Sequence, residues 1–103
     1  MKKLLGILFL IFGFFAAFFF EDEINFKKWK TVAEKGDAEA QHSLGQMYYQ
    51  GIGVLQDYKQ AFYWSKKSAE QGYAHAQHDL GVMYSNGQGV IQDYKKAVYW
   101  LKK

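Results

Sequence analysis

AEAQHSLGQMYYQGIGVLQDYKQAFYWSKK, residues 38–67, decides the fold, because the chain says it twice. A shift of 36 residues lays it on AHAQHDLGVMYSNGQGVIQDYKKAVYWLKK, residues 74–103, and the two strings agree at 20 of 30 positions without a gap. A period of this length marks a stack of like structural units rather than one closed core. A partial third copy comes first: Ala33, Glu34, Gly36 and Ala38 match Ala69, Glu70, Gly72 and Ala74 at the same shift.

Each unit reads as two helices. In residues 38–50, Ala40, Leu44, Met47 and Tyr48 fall on one helical face. Gly51 and Gly53 end that helix, and a glycine just past the last periodic residue is the usual left-handed cap. Val54 is expected to tuck between the helices. Asp57 stands where an N-cap belongs, its carboxylate accepting from free backbone N–H groups. The second helix is expected over 57–71, with Tyr58, Ala61, Trp64, Ser65, Ser68 and Ala69 inward and Gly72 as its stop. Gly45 and Gly81 sit inside helices, where glycine costs about 1 kcal/mol relative to alanine; close helix–helix approach is the expected compensation. The partial copy supplies one helix over 24–35, with Phe26, Trp29, Val32 and Ala33 inward. The full expectation is all-α: helices 24–35, 38–50, 57–71, 74–86 and 93–103, stacked as antiparallel pairs in a short right-handed α/α solenoid.

The first 20 residues are of another kind. Lys2 and Lys3 precede an uncharged run, Leu4–Phe20, which Glu21, Asp22 and Glu23 close. A basic start before an apolar stretch is the pattern of an export signal. As a helix the run measures about 25 Å, short of a bilayer core of about 30 Å. A cleavage site after Ala16 or Ala17 would set Phe14 or Phe15 three residues before the cut, where a small side chain is wanted. Residues 1–20 therefore read as a signal peptide or an uncleaved signal anchor. The lysine pair favours a cytoplasmic N-terminus, so the repeats are expected outside the cytoplasm, whether periplasmic, secreted or anchored.

Composition closes several doors. The chain of 103 residues has room for one small domain, and without cysteine it has no disulfide scaffold or thiolate metal site. Once Lys2 and Lys3 are set aside, basic residues exceed acidic ones by one, and no arginine is present to fork onto guanine or phosphate. Nucleic acid is not an expected partner. The lysine clusters at 27/28/30, 66/67, 95/96 and 102/103 read as a solvated face, with anionic lipid headgroups as the alternative.

The string Ala-x-Ala-Gln-x-x-Leu-Gly-x-Met-Tyr-x-x-Gly-x-Gly-Val-x-x-Asp-Tyr-x-x-Ala-x-x-Trp, present at Ala38–Trp64 and again at Ala74–Trp100, resembles the Sel1-like repeat. The resemblance divides the chain into a partial repeat at 24–37, a first repeat at 38–73 and a second at 74–103. It implies an adaptor of the tetratricopeptide-related type that holds another protein on its inner surface. Where the family prefers alanine, this chain has Ser68. The last helix ends about three residues past Trp100. That leaves open whether Trp100 and Leu101 are covered by a second copy or a partner, or belong to a remnant of a longer array.

Catalytic chemistry was sought along the chain. Some secreted, cysteine-rich members of the resembled family carry a β-lactamase label, so a hydrolase of that type is the alternative reading. No Ser-x-x-Lys occurs: Ser65 is followed at +3 by Ser68, and Ser43 by Gln46. Gly51-Ile52-Gly53 and Gly87-Gln88-Gly89 follow helices and read as turns, not phosphate loops. His75, His78 and Asp79 have a spacing that can hold a metal, but His78 repeats His42 and reads as a repeat letter. No enzyme activity, metal or cofactor is expected. The tyrosines and tryptophans at repeat positions read as core. The binding candidates are first-helix positions away from the buried face whose letters differ between units: Glu39, Ser43, Gln46 and Gln50 in the first, His75, Asp79, Val82 and Asn86 in the second.

Overall fold

The structure, a computed structural model, describes residues 20–103. Among them are five helices and no strand: α1 over 20–34, α2 Ala38–Gln50, α3 Tyr58–Glu70, α4 Ala74–Asn86 and α5 Tyr94–Leu101. The chain is an α/α solenoid. Short turns join α1 to α2 and α3 to α4; longer loops, 51–57 and 87–93, join the two helices of each unit. The reading of an export or anchoring segment falls, except for Phe20, outside the described residues. Among the described residues no helix is long and apolar enough to cross a membrane.

The helix ends follow from local chemistry. The Asp57 carboxylate accepts from the backbone N–H groups of Lys59 at 3.0 Å and Gln60 at 3.2 Å. Asp93 repeats this with Lys96 at 3.1 Å, and Asp37 caps α2 through Ala40 at 2.8 Å. Substituting such caps by alanine typically costs about 1 kcal/mol. At the other end, Gly51 and Gly87 return their N–H groups to the carbonyls of Met47 and Met83. Between units, the Gln41 side-chain amide donates to the Ala33 carbonyl and that of Gln77 to Ala69, each at 3.2 Å. The glutamine of the repeated Ala-x-Ala-Gln thus adds a second donor to a carbonyl at the end of the preceding helix, which already accepts from the backbone N–H of Gly36 or Gly72 at 3.0 Å.

The core lies where the repeated apolar letters fall. Ala33, Ala40, Leu44 and Trp64 form one buried cluster, with Phe26 and Tyr48 packed against it. Ala69, Ala76, Leu80, Tyr84 and Ala97 form the next, with Phe62, Tyr73, Val90 and Trp100. Burying a leucine such as Leu44 or Leu80 fully is worth roughly 1.5–3 kcal/mol. The edge-to-face pair Phe26–Tyr48, 5.4 Å between centroids, recurs one unit on as Phe62–Tyr84 at 5.3 Å. Ser68 is fully buried and donates its hydroxyl to the Ala38 carbonyl at 2.6 Å, so the departure from alanine is satisfied internally.

Gly45 and Gly81 bring the two helices of each unit into close approach. A Cβ on Gly45 would stand 2.8 Å from Ser65 Oγ and 3.3 Å from the Ala61 carbonyl oxygen; one on Gly81 would stand 2.6 Å from Leu101 Cγ.

The structure corrects the sequence reading in three places. First, α1 already includes Phe20–Glu23, where the reading began at Ile24, because the three acids are compatible with helix. Second, Trp29 and Val32 are half exposed rather than inward, while Phe26 and Ala33 do pack on α2. In the 36-residue register, Trp29 and Val32 correspond to Ser65 and Ser68, which face the first helix of their own unit. On α1 those positions fall on the flank away from α2. Third, Tyr58, Tyr63, Tyr94 and Tyr99 are exposed although their letters repeat. Tyr63 and Tyr99 lie edge-on to the neighbouring Trp64 and Trp100, and Lys67 and Lys103 reach over their rings.

Two outcomes follow from the packing. Gly45→Ala gains about 1 kcal/mol of helix propensity against an overpacking cost of about 1–3 kcal/mol, because the short Ser65 side chain and a backbone carbonyl have little room to yield. Gly81→Ala meets the Ala97 carbonyl oxygen at 3.2 Å as well as Leu101, but Leu101 lies half exposed in the last helical turn and can shift, whereas Ser65 is buried. Thermal unfolding should show Gly45→Ala less stable than the parent and Gly81→Ala close to it; the reverse order would refute this packing account. The second outcome concerns Tyr48. Burial first, then the negative charges of Asp57 and Glu34, raise its phenol above the ordinary 10.0. The folded state therefore keeps this proton after the unfolded chain releases it. The associated stability is complete below the ordinary value and declines as pH rises above it toward the folded value. Urea midpoints measured across that window should fall more steeply for the parent than for Tyr48→Phe, and parallel curves would exclude the effect.

Candidate binding groove

The first helices of the two units, α2 and α4, lie side by side, and a groove of about 220 Å³ opens along them. Its wall from α2 is Gly45, Gln46, Tyr49 and Gln50; its wall from α4 is His78, Asp79, Val82 and Met83; Ser65 of α3 closes the floor. Ser65 is buried and packed under Gly45, which removes its hydroxyl from the open surface.

Asp79 organises the polar end. Its Oδ2 accepts from His42 Nε2 at 2.8 Å and from the Gln46 amide at 3.1 Å. With the His42 Nε2–H aimed at the carboxylate, the 3.1 Å approach of Gln46 Nε2 to His42 Nε2 sets two donors side by side around a shared acceptor. The second oxygen, Oδ1, lies 3.9 Å from Nδ1 of the largely exposed His78. Tyr49 closes the other end. Its ring packs on Tyr58 at 5.0 Å, and its hydroxyl accepts from Gln88 Nε2 at 2.7 Å. Gln88 Oε1 is buried without a partner among the described residues. The groove therefore offers an apolar strip, Val82 and Met83, between a carboxylate and a tyrosine. It suits recognition of a peptide-like segment by shape and hydrogen bonding.

Of the eight candidates taken from the sequence, Gln46, Gln50, Asp79 and Val82 line this groove. Glu39 and Asn86 lie exposed at opposite ends of the first helices, and Ser43 is half-buried outside the groove. His75 belongs to another cluster, its ring 5.7 Å from Tyr73 and 5.9 Å from His42. Among the described residues no three of His, Asp and Glu converge as metal ligands.

Tyr49 is not among the binding candidates drawn from the sequence, where His42 and His78 read as a repeat letter. Position 49 carries the signal used for the others, since Tyr49 faces Ser85 across the repeat. The adjacent Tyr48, half-buried against the core and common to both repeats, masked it. The two histidines share a letter, yet His42 bridges two units while His78 lies largely exposed beside Asp79 of its own helix.

The Sel1 repeat family pattern matches residues 38–73 and 74–103. The chain belongs to the Sel1 repeat family. Proteins built of Sel1 repeats are protein-interaction modules. A Sel1 repeat protein from Oxalobacter formigenes has a similar structure, with a TM-score of 0.77 and 39% identity over 78% of this chain and 61% of that one. A second similar structure is c5321, described as a protective antigen of uropathogenic Escherichia coli strains displaying an SLR fold. It gives a TM-score of 0.71 and 47% identity over 75% of this chain and 16% of its own. Cysteine rich protein B of Helicobacter pylori shares the fold at a TM-score of 0.72 and 23% identity, over 75% of this chain and 58% of that one. In sequence, 39 residues are 46% identical to a sel1-like repeat-containing protein, L18, of Acanthamoeba polyphaga mimivirus; they are 38% of this chain and 7% of that protein. The chain spans less than two thirds of each of these relatives.

The contrast between the histidines is testable in this Sel1 repeat protein. His42→Ala removes a half-buried donor and strands Asp79 on one remaining partner, which should cost about 1 kcal/mol or somewhat more. His78→Ala should leave the unfolding midpoint unchanged. Equal effects in urea titrations would show that His42 does not tie the two units together.

Proposed function

We propose that this Sel1 repeat protein is a non-catalytic adaptor that holds an extended segment of another protein in the groove between α2 and α4. The observation that carries this reading is the groove itself. It is the place where Gln46 and Gln50 of α2 meet Asp79 and Val82 of α4 across adjacent helices, all at positions whose letters differ between the two similar repeats. Core letters are constrained by packing, so differences gathered at one surface are free to serve a ligand. The family's role as an interaction module supports the same reading.

The proposal includes export and membrane retention. Lys2 and Lys3, the run Leu4–Phe20 and the acids that follow support a segment that enters the membrane with the repeats outside the cytoplasm. The phenylalanines at the small-residue position of a cleavage site support an uncleaved anchor. The absence of catalysis is part of the reading: the groove's serine, Ser65, is buried under a glycine and has no lysine at +3.

The test is affinity capture of full-length, C-terminally tagged protein from detergent-solubilised membranes, beside a Gln50→Lys, Val82→Lys variant whose fold is checked by circular dichroism. A companion present near equal stoichiometry and lost in the folded variant is expected. A companion retained equally by both would move the binding face elsewhere. Purified protein should not turn over a chromogenic β-lactam, and steady hydrolysis would overturn the adaptor reading.

A further inference from the structure

Leu55 and Ile91 occupy the same place in the two repeats, one in each long loop, and each is 89% exposed. Single exposed aliphatic residues are ordinary. A pair at equivalent positions, repeated one unit apart on the same edge of a solenoid, is an arrayed surface. The same edge carries Ile52, Tyr58 and Tyr94, all exposed, with Lys59 and Lys95 beside them.

That edge is also where the apolar run arrives. The Asp22 carbonyl lies so close to Gly53 that a Cβ there would collide with it, and Phe26 Cβ would be 3.1 Å away. One unit on, Gly89 meets the Tyr58 carbonyl in the same way. The first described turn of α1, loop 51–57, the start of α3 and loop 87–93 are thus one continuous edge. Phe20, the last residue of the run Leu4–Phe20, is already helical in α1 and two residues from the Asp22 contact. No linker separates the end of the run from this edge.

We infer that the edge formed by loops 51–57 and 87–93 lies in the interfacial layer of a lipid bilayer, with Leu55 and Ile91 inserted below the headgroups. The inference rests on the reading of Leu4–Phe20 as a retained anchor. The lengths favour it. As a helix the run would measure about 25 Å, short of an apolar core of about 30 Å, and a short segment draws its flanking residues toward the membrane. Phe20, Tyr58 and Tyr94 are residue types that settle at the apolar–polar boundary. The lysines can extend to lipid phosphates while their stems stay with the apolar residues. The acids of this edge count against attraction by charge. Asp57 and Asp93 are engaged as N-caps, while Glu21 and Glu23 are exposed. The contact is therefore hydrophobic insertion, with uncharged phosphatidylcholine as a sufficient surface.

The natural chain has no cysteine, so single labels can be placed cleanly. Full-length Leu55→Cys, Ile91→Cys and Lys35→Cys proteins, each carrying a nitroxide or fluorophore, are reconstituted into phosphatidylcholine vesicles and floated. Lys35 marks the opposite edge, at the turn between α1 and α2. The expected result is several-fold lower access of a water-soluble quencher at 55 and 91 than at 35, with correspondingly higher access of a lipid-dissolved quencher. Equal access at all three positions in protein that floats with the vesicles would overturn the inference while leaving the anchor standing. Protein that does not float would remove the anchor reading and this inference with it.

Discussion

One backbone contact sets the geometry of the repeat: the second glycine of each long loop resting on a carbonyl of the preceding second-type helix. Gly53 sits on Asp22 and Gly89 on Tyr58, both at φ near +70°. A side chain at either position would meet both a left-handed backbone and a carbonyl oxygen. The contact fixes where each loop lies, and through the loop it fixes the spacing of the next two helices. It also explains why α1 belongs to the stack: Asp22 is to the first loop what Tyr58 is to the second. A solenoid is stabilised by such nearest-neighbour interfaces rather than by one long-range core.

The polar contacts between units follow the same register, but they do not all repeat. Gln41 and Gln77 each cover a carbonyl of the helix before, so this bond is part of the repeated architecture. The His42–Asp79 contact is different, since its acceptor exists in one repeat and not in the other: position 43 is serine. The shared histidine supplies the donor, and a single differing letter turns it into a bridge. The same carboxylate draws in Gln46 and shapes the polar end of the groove. Tertiary support and surface chemistry therefore share Asp79, and a change there alters both.

Most of the fold was legible because two signals agreed, an apolar helical period and glycines at its ends. Helices α2 and α4 carry both. Helix α1 was legible in existence but not in facing. Periodicity identifies a face of like residues without saying which neighbour covers it, and so Trp29 and Val32 read as inward. Tyr63 and Tyr99 show a second limit. A letter shared between repeats reports a shared environment, which can be an exposed flank where an aromatic ring packs edge-on against tryptophan. The groove was half legible. Differences between repeats led to Gln46, Gln50, Asp79 and Val82, since freedom from packing permits variation. They could not lead to His42, whose letter is common to both units and whose role depends on what stands one helix away.

The two surfaces of the molecule divide along the same logic. The groove gathers positions where the repeats differ, as recognition of one particular segment requires. Along the loop edge three pairs agree in character, Leu55 with Ile91, Tyr58 with Tyr94 and Lys59 with Lys95, while Ile52 stands against Gln88. A laterally uniform bilayer asks the same of every unit it touches, so agreement between repeats is the pattern it would select. Leu55 and Ile91 are almost fully exposed, so core packing does not account for their agreement. The loop glycines link the two surfaces: the contact that seats each loop on the preceding helix also turns its aliphatic residue outward, on the edge where the apolar run ends.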